Sequence, residues 1–221
     1  MAAVRETATF SALLVSICLL AGAAVSYGVA SWLESVSFVT GAICVWLTVK
    51  ENAWNFPVGL ANVATFSVVF FRSQLYADAA LQVVYFVFGV VGWWTWLYGG
   101  ERHTAIHITR ASRRELWWLG LVVATCTLGI WYLLQPYGGS ASFGDALTTS
   151  LSLGSQWLLN RKKLESWVGW IAVDAIYLPL YLSKELYLTA ALYALFLVLA
   201  SMGYRAWRKT WRNSFDTASR Q

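Results

Sequence analysis

Trp167, Trp170, Asp174, Tyr177 and Tyr181 fall at steps of three, four, three and four. On a helix that spacing places all of them on one face. A second apolar stretch carries Asp145, Thr149, Ser152 and Gln156 at steps of four, three and four. Two further stretches repeat the pattern, one with Asp78, Gln82, Tyr85, Gly89 and Trp93, the other with Asn55, Gly59, Asn62 and Phe66. These faces combine flat rings with amides, hydroxyls and a central carboxylate. Such rings sandwich a planar ligand, and a cationic ring gains about 0.5–2 kcal/mol more from the π face. The polar groups suit a ribose or another polyol. A phosphorylated ligand would want Arg or Lys, and none stands in the middle of an apolar stretch. The pattern therefore points to a cavity for a neutral or cationic aromatic-plus-polar molecule without phosphate. Its expected substrate contacts are Asn62, Gln82, Tyr85, Thr149, Gln156, Trp170, Asp174 and Tyr177.

Asp174 is the sharpest of these. It lies about halfway along its apolar stretch, where a carboxylate in lipid costs about 2.5–3.5 kcal/mol or more. A substrate or coupling-ion contact would justify that cost. The competing reading, for Asp174 as for Gln156, Gln82 and Asn62, is a structural hydrogen bond to a neighbouring helix. Any single Trp or Tyr ring is equally open to ordinary packing.

The elements that must carry these faces follow from composition. Of 221 residues, 58% are apolar and only 12% are charged, against about 25% charged in a soluble domain. No Asp, Glu, Lys or Arg occurs between Glu6 and Glu34, Asp78 and Glu101, Glu115 and Asp145, or Glu185 and Arg205. Each gap is near or above the ~20 residues of a spanning helix. The chain reads as an all-α polytopic membrane protein; a soluble enzyme, disorder and a secreted disulfide scaffold are excluded. Cys18, Cys44 and Cys126 all sit in apolar runs and read as packing residues without metal-ligand spacing. The net charge of +5 fits basic cytoplasmic loops better than nucleic acid binding.

Eight apolar segments are expected: 8–29, 36–49, 54–72, 76–98, 115–135, 144–160, 164–183 and 187–206. The first lacks a strongly basic start and has a long apolar run, so it reads as a span and not a signal peptide. With the N-terminus inside, the inner loops hold fourteen Lys and Arg, and the outer loops hold only Arg72 and Lys184. That asymmetry places both termini in the cytoplasm. Trp32, Trp54, Trp117, Trp118, Trp207 and Trp211, near segment ends, fit interfacial belts.

The chain also resembles itself. A shift of 111 positions carries Trp46 onto Trp157, Leu75-Tyr76 onto Leu186-Tyr187, Gly92 onto Gly203 and Trp96 onto Trp207. Chance is the rival, since membrane segments share a narrow alphabet. A repeat predicts two parallel three-helix bundles joined by a linker helix (3+1+3), plus one extra N-terminal transmembrane helix. Parallel repeats are one way transporters build alternating access. The expected boundaries are 1–30 for the extra helix, 31–99 for the first repeat, 100–136 for the basic loop and linker helix, 137–208 for the second repeat and 209–221 for a cytoplasmic tail. Pro57 and Pro179 are hinge candidates, since proline removes a helix hydrogen bond; Pro57 fits better as a first-turn proline.

Longer motifs resemble a known family. The LYAD, LQVVY and GWW pieces within 62–96, and SQWLLNRKKLESW and YLSKELYLTAALY within 143–207, are similar to the PnuC family of bacterial vitamin transporters. The resemblance covers about 31–98 and 141–208. It implies uptake of nicotinamide riboside, an NAD precursor with a cationic pyridinium ring and an unphosphorylated ribose; close relatives take thiamine or riboflavin. It implies a SWEET-like fold, facilitated diffusion across the bacterial cytoplasmic membrane, and trapping through phosphorylation by a cytoplasmic kinase, a functional and not a physical partner. Some members carry Asn where this chain has Asp174, and the residue at Gln156 varies. A carboxylate favours cationic nicotinamide riboside or thiamine over neutral riboflavin, and leaves proton coupling open. Thiamine is the runner-up substrate and sugar a distant third. The state of assembly, including a homo-oligomer, is open.

A membrane enzyme is the rival from another class. Hydrolytic chemistry needs a nucleophile and base within reach, yet His103 and His107 both lie in the basic loop. Asp78 and Asp145 lie at the outer ends of their segments, away from the depth of Asp174. No enzymatic activity, cofactor, metal site or nucleic acid partner is expected. The partners expected are a small vitamin and the lipid bilayer.

Overall fold

The computed structural model describes residues 22, 26–28, 32–72, 76–134, 143–183 and 187–218. Among them run seven long helices: α1 (Trp32–Val49), α2 (Asn55–Arg72), α3 (Tyr76–Tyr98), α4 (Arg113–Leu134), α5 (Phe143–Asn160), α6 (Ser166–Ser183) and α7 (Tyr187–Ala218). A short 3₁₀ turn, Glu101–His103, follows α3. The expected segment 8–29 lies outside the described residues, save for single positions. Ala79–Tyr98, Arg113–Leu133 and Ala190–Ser214 are long and apolar enough to cross a membrane. Phe38–Val49 and Ser166–Leu180 are shorter apolar runs. α5 falls short because its polar residues lower its hydropathy; Thr148, Ser150, Ser152 and Ser155 among them are buried.

The chain divides into two compact units, Met1–Val90 and Val91–Gln221, with the boundary inside α3. In the first unit α1 packs on α2. The contact is closed by polar side chains. Asn55, 2% exposed, donates from Nδ2 to Thr48 Oγ1 at 3.0 Å. Asn62 Nδ2 donates to Thr40 Oγ1 at 2.8 Å. Two side-chain bonds between helices resist sliding in lipid, where burial of apolar surface gives no drive to associate. Pro57 occupies the first turn of α2, where its missing N–H leaves nothing unpaired.

In the second unit α5 lies against α4 and α6, and α6 packs on α7. Close approach depends on small residues. A Cβ at Gly169 would collide with Ser155, and one at Gly203 would enter the Trp167 ring. Around Gly203, Trp96, Trp167 and Trp207 form a buried cluster, each 2% exposed or less. Trp167 meets Trp207 edge to face at 5.4 Å, and Trp96 lies 5.8 Å from Trp207. Trp96 Nε1 donates to the Leu159 carbonyl at 3.0 Å. Pro179 stands inside α6 and removes one ladder bond to the Ala175 carbonyl.

The turns after α1 and α5 are built alike. Glu51 and Lys162, 111 positions apart, both adopt left-handed backbone, with φ of 57° and 48°. Around Glu51, Glu51 N bonds Thr48 O and Asn52 N bonds Leu47 O; around Lys162, Lys162 N bonds Leu159 O and Lys163 N bonds Leu158 O. Each is a Schellman motif. The next helices open with matching bonds, Asn55 N to Asn52 O and Ser166 N to Lys163 O. Even the side-chain decoration recurs: Lys50 Nζ lies 4.8 Å over Trp46, and the Arg161 guanidinium 4.3 Å over Trp157.

α7 continues twelve residues past the expected end of its apolar segment, to Ala218. The extension alternates buried Trp207 and half-buried Trp211 with exposed Arg205, Arg208, Lys209 and Arg212. Arg and Lys are good helix formers, and one face still has the unit to pack on.

Candidate functional site

The polar faces resolve into groups with different tasks. On α6, Trp167 belongs to the buried tryptophan cluster, so its ring is already occupied by protein. Trp170, one turn on, is only half-buried. Asp174 follows at 5% exposure and forms no hydrogen bond or ion pair with the described residues. A buried carboxylate without a partner is costly, and a cationic ligand would remove that cost. Tyr177, half-buried, continues the face.

Tyr177 is held from two sides. Its hydroxyl and that of Thr148 share a hydrogen bond of 2.9 Å. Its ring lies 4.9 Å from Tyr193 on α7, tilted by 50°. Thr148 Oγ1 also lies 2.9 Å from the Gly144 carbonyl, which fixes that hydroxyl in place. A tyrosine clamped in this way presents a rigid ring wall.

On α5 the residue that meets α6 is Thr148, fully buried; Thr149 is half-buried and belongs to a neighbouring face. Gln156 Nε2 donates to Asn160 Oδ1 at 3.0 Å along the same helix. The carbonyl oxygen of Gln156, on a half-buried side chain, has no donor among the described residues. Ser152 is buried, and Ser155 bonds back to the Leu151 carbonyl at 2.7 Å.

In the first unit, Asn62 spends its amide N–H on Thr40. Gln82 and Tyr85 are half-buried on α3. The hydrogen bond to a neighbouring helix considered for Asn62 is thus present. The side chains of Asp78 and Tyr181 lie outside what is described.

Thr148, Asn160 and Tyr193 were not singled out by spacing. Thr148 stands in a Thr-Thr-Ser run, where one-residue steps of 100° decide which hydroxyl faces α6. Tyr193 shares its face with Phe196, ring centroids 6.0 Å apart, a pair that reads in the sequence as ordinary packing. Among the described residues no cluster of three His, Cys, Asp or Glu could hold a metal.

Comparison with known proteins agrees with this polar, helical design. The profile of the nicotinamide mononucleotide transporter family matches residues 31–209. The chain is 26% identical over 209 residues to the nicotinamide riboside transporter PnuC of Escherichia coli, covering 80% of this chain and 85% of that one. It is 29% identical over 188 residues to the PnuC of Haemophilus influenzae, covering 81% and 80%. A riboflavin/roseoflavin transporter, RibM of Streptomyces davaonensis, is 21% identical over 181 residues, covering 80% and 84%. The crystal structure of a vitamin B3 transporter PnuC superposes with a TM-score of 0.74 at 22% identity, covering 92% of each chain. The fold is therefore that of a helical, multi-pass membrane transporter, and the chain belongs to the nicotinamide mononucleotide transporter family.

Proposed function

We propose that this member of the nicotinamide mononucleotide transporter family takes up nicotinamide riboside. The observation that carries the reading is Asp174, buried at 5% exposure without a partner among the described residues, on a face with Trp170 and Tyr177. A pyridinium ring supplies the missing positive charge and a flat surface for the rings. A ribose supplies hydroxyls for Gln156 and Thr149. A phosphate would need a cation, and the middles of the apolar stretches hold no Lys or Arg, so the riboside suits this lining better than the mononucleotide. Asn62, Gln82 and Tyr85 offer further polar contacts along the path through the first unit.

The architecture that fits this role is a pair of parallel three-helix repeats, α1–α3 and α5–α7, with α4 as linker and an added N-terminal helix. The recurrence of the Glu51 and Lys162 turns supports it. The distribution of Lys and Arg supports termini on the cytoplasmic side of the bacterial inner membrane. Transport is facilitated diffusion, with alternating access, and a cytoplasmic kinase retains the product by phosphorylation. No catalytic step belongs to the transporter itself.

A second reading is riboflavin, favoured by the similarity to RibM. The buried carboxylate argues against it, because a neutral ring leaves Asp174 unpaired. Thiamine shares the positive charge and is the nearer competitor.

The test is quenching of intrinsic tryptophan fluorescence in the purified chain, with isothermal titration as control. Nicotinamide riboside, nicotinamide mononucleotide, thiamine and riboflavin are titrated in parallel. Saturable binding of the riboside with none of its phosphate is expected. Selective binding of thiamine or riboflavin would replace the substrate. Binding of the mononucleotide alone would overturn the phosphate-free cavity.

A further inference from the structure

The loop before α4 is tied to the turn between α5 and α6. Thr109 N donates to the Lys162 carbonyl at 3.1 Å, and Leu164 N to the Thr109 carbonyl at 2.9 Å. Glu165 accepts from Arg110 Nε at 2.9 Å and from Ala111 N at 2.7 Å. Glu115 faces Lys163 at 3.7 Å and Arg161 at 3.9 Å. Three cations of this basic end are thus matched by two carboxylates.

Arg113 and Arg114 are not matched. They open α4, both are exposed, and neither forms an ion pair with the described residues. A capping box takes two of the leading N–H groups of the helix: Glu115 N donates to Ser112 Oγ at 3.1 Å, and Ser112 N to Glu115 Oε2 at 3.3 Å. The two guanidinium groups supply the full positive charges at this end of the helix.

Directly below them the same face becomes aromatic and then aliphatic. Trp117 is 81% exposed, Trp118 59% and Leu121 57%. Arg114, Trp117, Trp118 and Leu121 are spaced three, one and three apart, one helical face. Leu116, Trp117, Trp118, Gly120 and Leu121 line a groove. At 1.5 Å per residue the indoles sit about 6 Å, and Leu121 about 12 Å, below Arg113. Charge, indole and hydrocarbon then follow the order of headgroup, interface and acyl chain in a bilayer leaflet.

We propose that this face of α4 is a binding site for an anionic phospholipid, its headgroup phosphate on Arg113 and Arg114 and one acyl chain in the groove floored by Gly120. Trp117 and Trp118 donate their indole N–H groups to the ester and phosphate oxygens. Charge complementarity selects the occupant: a zwitterionic lipid would carry its own cation toward two unpaired arginines. The site is independent of the substrate and lies on the helix that links the two sets of three.

Native mass spectrometry of the full chain in detergent tests it, with phosphatidylglycerol, phosphatidylcholine or inorganic phosphate added. Wild type is expected to retain phosphatidylglycerol in preference to phosphatidylcholine, and inorganic phosphate is not expected to displace it. Each arginine is worth about fivefold near an anionic lipid, so R113Q/R114Q is expected to lower retention roughly twenty-five-fold. A Cβ at Gly120 meets open space, so Gly120→Trp should fold while filling the groove, and is expected to lose phosphatidylglycerol with both arginines intact. Arg208→Gln with Lys209→Gln, on α7, is the control and should retain it. Equal retention of both lipids, wild-type retention by R113Q/R114Q or by Gly120→Trp, or displacement by inorganic phosphate would each overturn the proposal. A change in subunit number in Gly120→Trp, with lipid retention unaltered, would instead assign the groove to a second copy of the chain.

Discussion

Trp96 and Trp207 stand 111 positions apart in the chain and touch each other in the fold, ring centroids 5.8 Å apart at 52°. The two rings share one cluster with Trp167, which is edge-on to Trp207. The cluster anchors α3's end, α6 and α7.

Its disruption should cost stability first. Trp207→Ala removes a fully buried ring and is expected to cost about 3–5 kcal/mol. Trp96→Phe keeps most of the packing but leaves the Leu159 carbonyl without its donor, for about 1 kcal/mol. Thermal unfolding in detergent reads both. If Trp207→Ala melted like wild type and only lost substrate, the indole would be a ligand contact and not an anchor.

Asp174→Asn should act the other way. It keeps volume but removes the charge, so folding is retained and affinity for a cationic substrate falls. A loss of tenfold or more, roughly 1.4 kcal/mol, is expected for nicotinamide riboside by isothermal titration. Neutral ligands should be unaffected or bind more tightly. A variant that failed to fold, with Asp174→Leu folding normally, would point to a structural cost of the polar group and remove its substrate role.

Thr148 and Tyr177 should be coupled. Thr148→Val and Tyr177→Phe each break the hydrogen bond of 2.9 Å, so a double-mutant cycle is expected to show an interaction of about 0.5–1.5 kcal/mol. Additive losses in thermal stability would show that the hydroxyls share no energy.

The two left-handed turn residues should respond differently to glycine. Glu51→Gly relieves a backbone cost of about 1 kcal/mol and gives up the interaction of a half-buried carboxylate, so it should cost less stability, read as melting temperature, than Lys162→Gly. Lys162→Gly relieves the same strain but loses a buried ammonium 4.5 Å above the Trp96 ring, worth about 0.5–2 kcal/mol. It is expected to be neutral or destabilising. Equal stabilisation by both would mean that the Lys162–Trp96 contact contributes nothing.

The Arg110–Glu165 pair should be insensitive to ordinary alkaline pH. The hydrogen bond and charge of Glu165 raise the Arg110 value above the ordinary guanidinium range. A raised cation contributes stability that is complete below the unfolded value and lost only as pH rises through the folded one. Glu165→Gln should therefore cost the same at neutral and at mildly alkaline pH, and less at high salt, because Arg110 is 58% exposed. A cost that grew with salt would contradict the pairing.

Much of this design was legible before any fold. Charge-free runs and basic loops marked the helices, because lipid excludes unpaired charge so strongly that the pattern survives in a single sequence. The bounds of α2 and α3, expected at 54–72 and 76–98, differ by at most one residue from Asn55–Arg72 and Tyr76–Tyr98. The extension of α7 to Ala218 was not legible, since hydropathy ends where the span ends while helix formation does not.

Within the faces, spacing alone could say which residues share a side of a helix, as it did for Trp170, Asp174 and Tyr177. It could not say what that side meets. Only the packing of α5, α6 and α7 gave Trp167 to an anchor, Thr148 to Tyr177 and Tyr193 to the same ring, and left Asp174 without a partner among the described residues. The physical reason is range: periodicity is set by backbone hydrogen bonds four residues apart, whereas a side chain's partner depends on which other helix reaches it, and that is decided by small residues such as Gly169 and Gly203 that let distant segments come close.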